Sequence, residues 1–262
     1  MELQHIWAIT LRHIHLWRKD LNLIAATLYW PFLDVFIWGF MGTWLQKQQT
    51  ANLNYQLIFL MCILLWQTIS RNSVVITTCF LEEIYSYNLI NMFSLPLRIS
   101  EWIVGIILFA FLISVIIVCY CMLLIILFYQ INIFTVLQLF SMFAPPLFIS
   151  GIWIGFMTLQ IVASFGKRAQ EFTWILAWFF APLSGVFYSI EVFPDWLQKI
   201  CYWIPMTHVF EGLRNYLMHG TNPRIYLWYA YGLSIPYALL AIVVFVWIFN
   251  RTKVKGLARL SD

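Results

Sequence analysis

The sequence predicts an all-α integral membrane fold. It comprises six transmembrane helices, an N-terminal interfacial helix before them, and short re-entrant helices between the fifth and sixth spans. Three observations carry this reading. The chain is 63% hydrophobic and 10% charged, where soluble domains carry about 25% charged residues. Six apolar runs approach or exceed the roughly 20 residues that cross a bilayer. Between the last two runs, residues 182–214 break at Gly185, Pro194 and Pro205 into short amphipathic pieces bearing Glu191, Asp195, Lys199, Glu211 and Arg214. A segment that dips into the bilayer edge and returns has this pattern.

Residues 1–22 form the interfacial helix. Leu3, Ile6, Trp7, Thr10, Ile14, Trp17 and Leu21 recur at helical spacing, and His5, Arg12, His15, Arg18 and Lys19 fill the other faces. A basic amphipathic helix with Trp on its apolar side lies in the headgroup plane. The six spans follow at 23–45, 57–79, 102–129, 134–165, 172–188 and 226–249. The third and fourth exceed the required length, which calls for tilt or a kink, and Pro145-Pro146 supplies a kink site in the fourth. Only Gln130-Ile131-Asn132 separates the third from the fourth, so these two should form a tight antiparallel hairpin. The whole of 1–262 reads as one membrane domain, with no cleavable signal.

Lys and Arg distribution sets the orientation. With six spans both termini share a side. Ten basic residues fall on it (Arg12, Arg18, Lys19, Arg98, Lys167, Arg168, Arg251, Lys253, Lys255, Arg259) against four opposite (Lys47, Lys199, Arg214, Arg224). The richer side is the cytoplasm, which puts residues 189–224 outside it and makes 80–101 a cytoplasmic loop. The formal charge of +4 flanks apolar spans and forms no patch, so no nucleic-acid partner is expected. The five cysteines are Cys62, Cys79, Cys119, Cys121 and Cys201. The first four sit in or beside apolar runs as small hydrophobes, and neither a disulfide framework nor a structural zinc site is expected.

The loop at 80–105 reads Phe-Leu-Glu-Glu-Ile-Tyr-Ser-Tyr-Asn-Leu-Ile-Asn-Met-Phe-Ser-Leu-Pro-Leu-Arg-Ile-Ser-Glu-Trp-Ile-Val-Gly. An acidic helix end (Glu82, Glu83) leads into a short helix (Tyr87–Ser94), Pro96, and an acidic residue opening the next span (Glu101). Downstream stand Ser184-Gly185, Pro194, Trp196-Leu197, Pro205-Met206-Thr207-His208 and Arg214. Both stretches, and the six-span plan with its N-terminal interfacial helix, resemble the type-2 ABC transporter permeases. Tyr87-Asn88 stands where many members carry Gly, and Ser189 where Pro often follows the aromatic pair.

That resemblance implies a half-transporter that works as a dimer with two ATP-binding subunits; the expected dimer is of two copies of this chain, with a heterodimer as the alternative. The chain has no G-x-x-x-x-G-K phosphate loop, so ATP and Mg belong to that separate partner and no cofactor is expected here. The coupling element, which includes Tyr87, Asn88 and Pro96, would present its apolar Leu89, Ile90, Met92, Phe93 and Leu95 to a groove on the partner, with Glu82 and Glu83 pairing with basic residues there. The competing reading packs this segment on its own membrane domain or on headgroups.

Asp34 and Arg71 lie inside the first and second spans. An intramembrane charge costs about 2.5–3.5 kcal/mol on the insertion scale, so such residues pair or face water. At 1.5 Å per residue their depths differ by roughly 5 Å, which allows an ion pair. A snorkelling Arg71 and a protonated Asp34 are the alternatives. Ala177, Ala181 and Gly185 repeat every four residues on the fifth span. Such small-residue faces let helices approach closely, either between two copies or within one chain. Gly39 and Thr43, and Gly151 and Gly155, repeat likewise. His208, Glu211 and Arg214 share a helical face. They read as a polar interfacial helix shaping an outer gate with Gly185, Pro194, Pro205 and Thr207. A metal or transferase site is the lesser alternative, since a third ligand is lacking. Trp196, Tyr202, Trp203 and Tyr216 fit the aromatic belt.

The expected function is export of a hydrophobic or amphiphilic cargo (drug, lipid or lipid-linked saccharide) across the inner membrane. ATP is hydrolysed on the partner. Polysaccharide export is the runner-up. A membrane-embedded transferase would need a His/Asp/Glu cluster, and a proton-coupled carrier would more often show paired repeats.

Overall fold

The computed structural model describes residues 2–48 and 54–256, and every regular element among them is helical. Ten α-helices follow in chain order: α1 (Leu3–Lys19), α2 (Leu21–Gln48), α3 (Tyr55–Tyr85), α4 (Leu89–Ser94), α5 (Ile99–Tyr129), α6 (Ile133–Phe165), α7 (Phe172–Leu183), α8 (Asp195–Cys201), α9 (Pro205–His219) and α10 (Arg224–Lys255). Arg259, assigned to the basic tail, lies outside the described residues.

Five of these helices, α2, α3, α5, α6 and α10, are long and apolar enough to cross a membrane. The sixth run behaves differently. α7 has 12 residues, about 18 Å of helix, against a hydrocarbon core of about 30 Å. It ends at Leu183 because Pro182, Ser184 and Gly185 follow one another, and Gly185 takes a φ of 75° that favours glycine.

α3 is the hub. α2, α5, α6 and α7 all pack on it, and nearly its whole length is buried. Its inner face carries Thr68, Ser70, Asn72, Ser73 and Thr77, all buried. These small and polar side chains let α6 come close. A Cβ built on Gly151 would stand 2.7 Å from the Asn72 Cβ, and one on Gly155 would stand 3.1 Å from the Ile76 Cβ. The Gly151/Gly155 repeat therefore serves helix packing within the chain.

The α5–α6 connection is as short as expected. Gln130 closes α5 with a φ of 53°, and the Asn132 side chain caps α6 by accepting from the Phe134 N–H. The two helices nonetheless do not form a tight hairpin. α6 turns away onto α3 and α10, leaving an apolar recess of about 570 Å³ between α5 and α6. α6 continues through Pro145-Pro146 without ending.

Contacts define two ends of the bundle. At one, Tyr85 at the close of α3 donates to Gln170, Lys167 lies 4.6 Å over the Tyr87 ring, and Thr252 near the end of α10 donates to the Ala163 carbonyl. α1 docks at this same end. At the far end, Gln56 of α3 donates to Thr43 of α2, and Val186–Ser189 line a recess with Leu45 and Tyr55. Residues 80–101 and 182–214 thus occupy opposite ends.

Candidate functional sites

The first site is the α3–α4–α5 turn. α1 holds it from both flanks. The Arg12 guanidinium donates from Nε (2.7 Å) and Nη2 (3.0 Å) to the Glu83 carboxylate, which is fully buried and also accepts from Asn88 at 2.9 Å. At the other flank Glu101 accepts from the Glu2 backbone N–H (2.9 Å), from His5 Nδ1 (3.0 Å) and from the Arg98 N–H (3.1 Å). Between these flanks the Thr10 hydroxyl donates to the Gly105 carbonyl, and a Cβ on Gly105 would meet Ile9 at 2.8 Å. His13 is buried with its Nδ1 at 3.5 Å from Glu82.

Two details of the sequence reading change. The buried face of α1 is Ile6, Ile9, Thr10 and His13, while Leu3 and Trp7 stay outside. The helix is thus docked on its own bundle as well as amphipathic. Glu83, assigned to pair with a partner, is committed to Arg12 and Asn88 of its own chain. Leu89, Met92 and Phe93, assigned to the partner groove, are likewise buried, while Ile90 and Leu95 of the same set are exposed. A helix of six residues has one inward face, and Phe93 packs on Trp102 and Phe249 at ring centroids of 6.4 and 4.8 Å. The outward face consists of Tyr87, Ile90, Asn91, Ser94, Leu95 and Pro96, with Asn88 half-buried beneath it.

The second site lies within the bundle. Asp34 and Arg71 line a recess of about 520 Å³ with Trp30, Ser70, Val74, Trp174, Ala177 and Trp178. They form no direct ion pair. Gln67 stands between them: its amide N–H donates to Asp34 Oδ2 at 2.7 Å, and its carbonyl accepts from Arg71 Nε at 3.2 Å. The expected pair is therefore relayed through an amide. Gln67 precedes Arg71 by one helical turn, and that i, i+4 spacing is the signal that identifies it. Trp30 precedes Asp34 by one helical turn and carries the same signal, whereas Trp174 and Trp178 come from α7, distant in sequence, and no pattern near Asp34 or Arg71 announces them.

The third site is the 184–214 segment. Arg214 donates to the Gly185 carbonyl and, at 3.1 Å, to the Val186 carbonyl; its Nη1 meets Glu211 at 3.1 Å. Glu211 in turn accepts from the Ile190 N–H at 3.0 Å and the Ser189 hydroxyl at 3.3 Å. Together these two side chains tie α9 to the turn that ends α7. The Thr207 hydroxyl reaches the Leu183 carbonyl at 3.5 Å. Pro194 precedes α8, and Pro205 opens α9 at its first position, where a missing N–H costs nothing.

His208 is turned elsewhere. Its Nε2 donates to the Tyr202 carbonyl at 2.8 Å, and its ring stacks on Tyr229 at 5.4 Å. Burial pushes its pKa below the ordinary histidine value. The shared face of His208, Glu211 and Arg214 does not become one cluster, and the described residues hold no group of three metal-binding side chains. Ala177 and Ala181 are 1% and 0% exposed, and α7 packs on α3 and α6. The chain itself covers that small-residue face, which settles it as packing within one copy. Phe172, Trp174, Ile175, Trp178 and Phe179 form the outward face of α7.

A polytopic helical bundle with a clamped turn at one end and a broken helix pair at the other is the plan of a transporter's membrane subunit. A family model described as ABC-2 family transporter protein matches residues 35–250. The chain belongs to that family and is the permease component of an ABC transporter, whose family plan includes a separate ATP-binding partner. Comparison with curated proteins found no significant match.

Proposed function

We propose that the chain exports a hydrophobic or amphiphilic cargo (a drug, a lipid or a lipid-linked saccharide) as a homodimer with two ATP-binding subunits. The observation that carries this reading is the Asp34/Arg71 recess. It sets charged and indole groups into an otherwise apolar wall, where an amphiphile finds both of its solvents. In this reading α7 and residues 184–189 complete a sixth crossing, both termini lie in the cytoplasm, and the inner membrane houses the assembly. ATP and Mg bind the partner. The outward face of α4 meets that partner, and the Arg12–Glu83 and His5–Glu101 bonds keep α4 rigid so that its movement reaches α3 and α5. Residues 184–214 form the outer gate.

The test is reconstitution in proteoliposomes with the ATP-binding subunit. Cargo movement should require ATP hydrolysis, and the subunit should co-purify. Movement that persists without hydrolysis would sink the proposal.

A second reading, polysaccharide export, is favoured by one observation. Tyr29, Trp30, Phe36, Phe40 and Trp44 of α2 stand exposed, an aromatic track of the kind that carries sugars. Glycan release, in place of lipid movement, would select it.

A further inference from the structure

Opposite charges in a low-dielectric interior normally close on each other, because each would otherwise lie desolvated and unpaired. Here Gln67 prevents closure. Its amide occupies one oxygen of Asp34 and only the Nε of Arg71. Among the described residues, Nη1 and Nη2 of Arg71 have no hydrogen-bond partner, although the residue is 7% exposed and lines the recess. Two parallel N–H groups on a planar fork fit the oxygens of a phosphate. The second oxygen of Asp34 is also without a partner.

The three indoles add to this. Trp30, Trp174 and Trp178 line the same recess, and indole faces attract ammonium groups, quaternary ones included. A carboxylate with indoles on one side and a guanidinium fork on the other match a headgroup that is itself dipolar. The volume, about 520 Å³, falls within the range of ligand pockets. The exposed apolar faces of α2 and α7 flank it and give acyl chains a surface.

We propose that the Asp34–Gln67–Arg71 recess binds the zwitterionic headgroup of a phospholipid-like amphiphile. Its phosphate sits on the Nη fork of Arg71, and its ammonium lies near Asp34 among the indoles. Calling this amphiphile a cargo rests on the transport reading; the binding does not.

The experiment is native mass spectrometry of the permease with its ATP-binding subunit in a neutral maltoside detergent. The probes are short-chain phosphatidylcholine, phosphatidylethanolamine, phosphatidylglycerol, diacylglycerol and free phosphocholine. The two zwitterionic lipids should bind at least ~10-fold tighter than diacylglycerol, given a bidentate charged contact. They should also bind tighter than phosphatidylglycerol. Arg71→Gln should erase the preference for any phospholipid over diacylglycerol, and Asp34→Asn should let phosphatidylglycerol bind as well as the zwitterions. Diacylglycerol binding equally well, or phosphatidylglycerol binding tightest, overturns the proposal. Free phosphocholine binding as tightly as the lipids overturns its amphiphile part. If Arg71→Gln does not fold, the headgroup series on the unaltered protein decides alone. Transport is scored separately. Selective binding without ATP-driven movement removes the transport reading and leaves this one standing; movement without headgroup preference does the reverse.

Discussion

At Gly185 two constraints coincide. The residue sits at a φ of 75°, and a Cβ there would stand 3.3 Å from the Glu211 carboxylate and 3.4 Å from Arg214 Nη1. Gly185→Ala should destabilise by about 1–2 kcal/mol from the backbone alone, read as a lower melting temperature in detergent. Arg214→Ala should cost more, about 3–5 kcal/mol, because it leaves Glu211 part-buried and uncompensated. Equal or smaller loss for Arg214→Ala would show that the ion pair does not hold this turn. His208 gives a pH test. Its folded pKa lies below the unfolded value, which is about 6.5, so the unfolded chain binds the proton more readily. Its contribution is complete above that value and declines as pH falls through it. The melting temperature should drop between pH 7 and 5.5, and His208→Gln should flatten the drop.

At the scale of elements, α1 and α4 depend on one another. Arg12→Ala strands the fully buried Glu83 carboxylate and should cost about 3–5 kcal/mol, with α1 becoming sensitive to limited proteolysis. Glu83→Gln on top of Arg12→Ala should recover part of that loss, since the neutral amide needs no cation. The outward face of α4 is separable from this clamp. Ile90→Glu with Leu95→Glu should abolish co-purification of the ATP-binding subunit while the melting temperature stays unchanged, because both side chains are exposed at the surface of the chain. Intact co-purification would move the partner contact off α4.

For the whole molecule, the covered small-residue face of α7 sharpens the homodimer proposal. Any contact that α7 makes with a second copy must use its outward aromatic side. With the exposed Cys119 first replaced by Ser, Phe179→Cys should cross-link between copies in membranes. Ala177→Cys, buried within its own chain, should not. Cross-linking at Ala177 alone would mean that α7 is arranged differently in the assembly.

Membrane character and the five long helices were legible in the sequence, because each rests on composition or on spacing along one segment; the family was legible only through the resemblance of residues 80–105 and 184–214 to known permeases. A run of apolar residues reports its own solvent whatever its neighbours are. The helix break at Gly185 and the place of Asp34 and Arg71 within long apolar helices were legible for the same reason. What surrounds a side chain was not. Arg12 and Glu83 are 71 residues apart, and nothing in either neighbourhood shows that they meet. Spacing placed Ala177 and Ala181 on one face, but only the packing of α7 on α3 and α6 decided that the face turns inward. Asp34 and Arg71 could be counted to similar depths, yet a depth is one coordinate of three. Helix rotation and the place of Gln67 fixed the other two, and they made a relayed pair facing three tryptophans out of a predicted salt bridge.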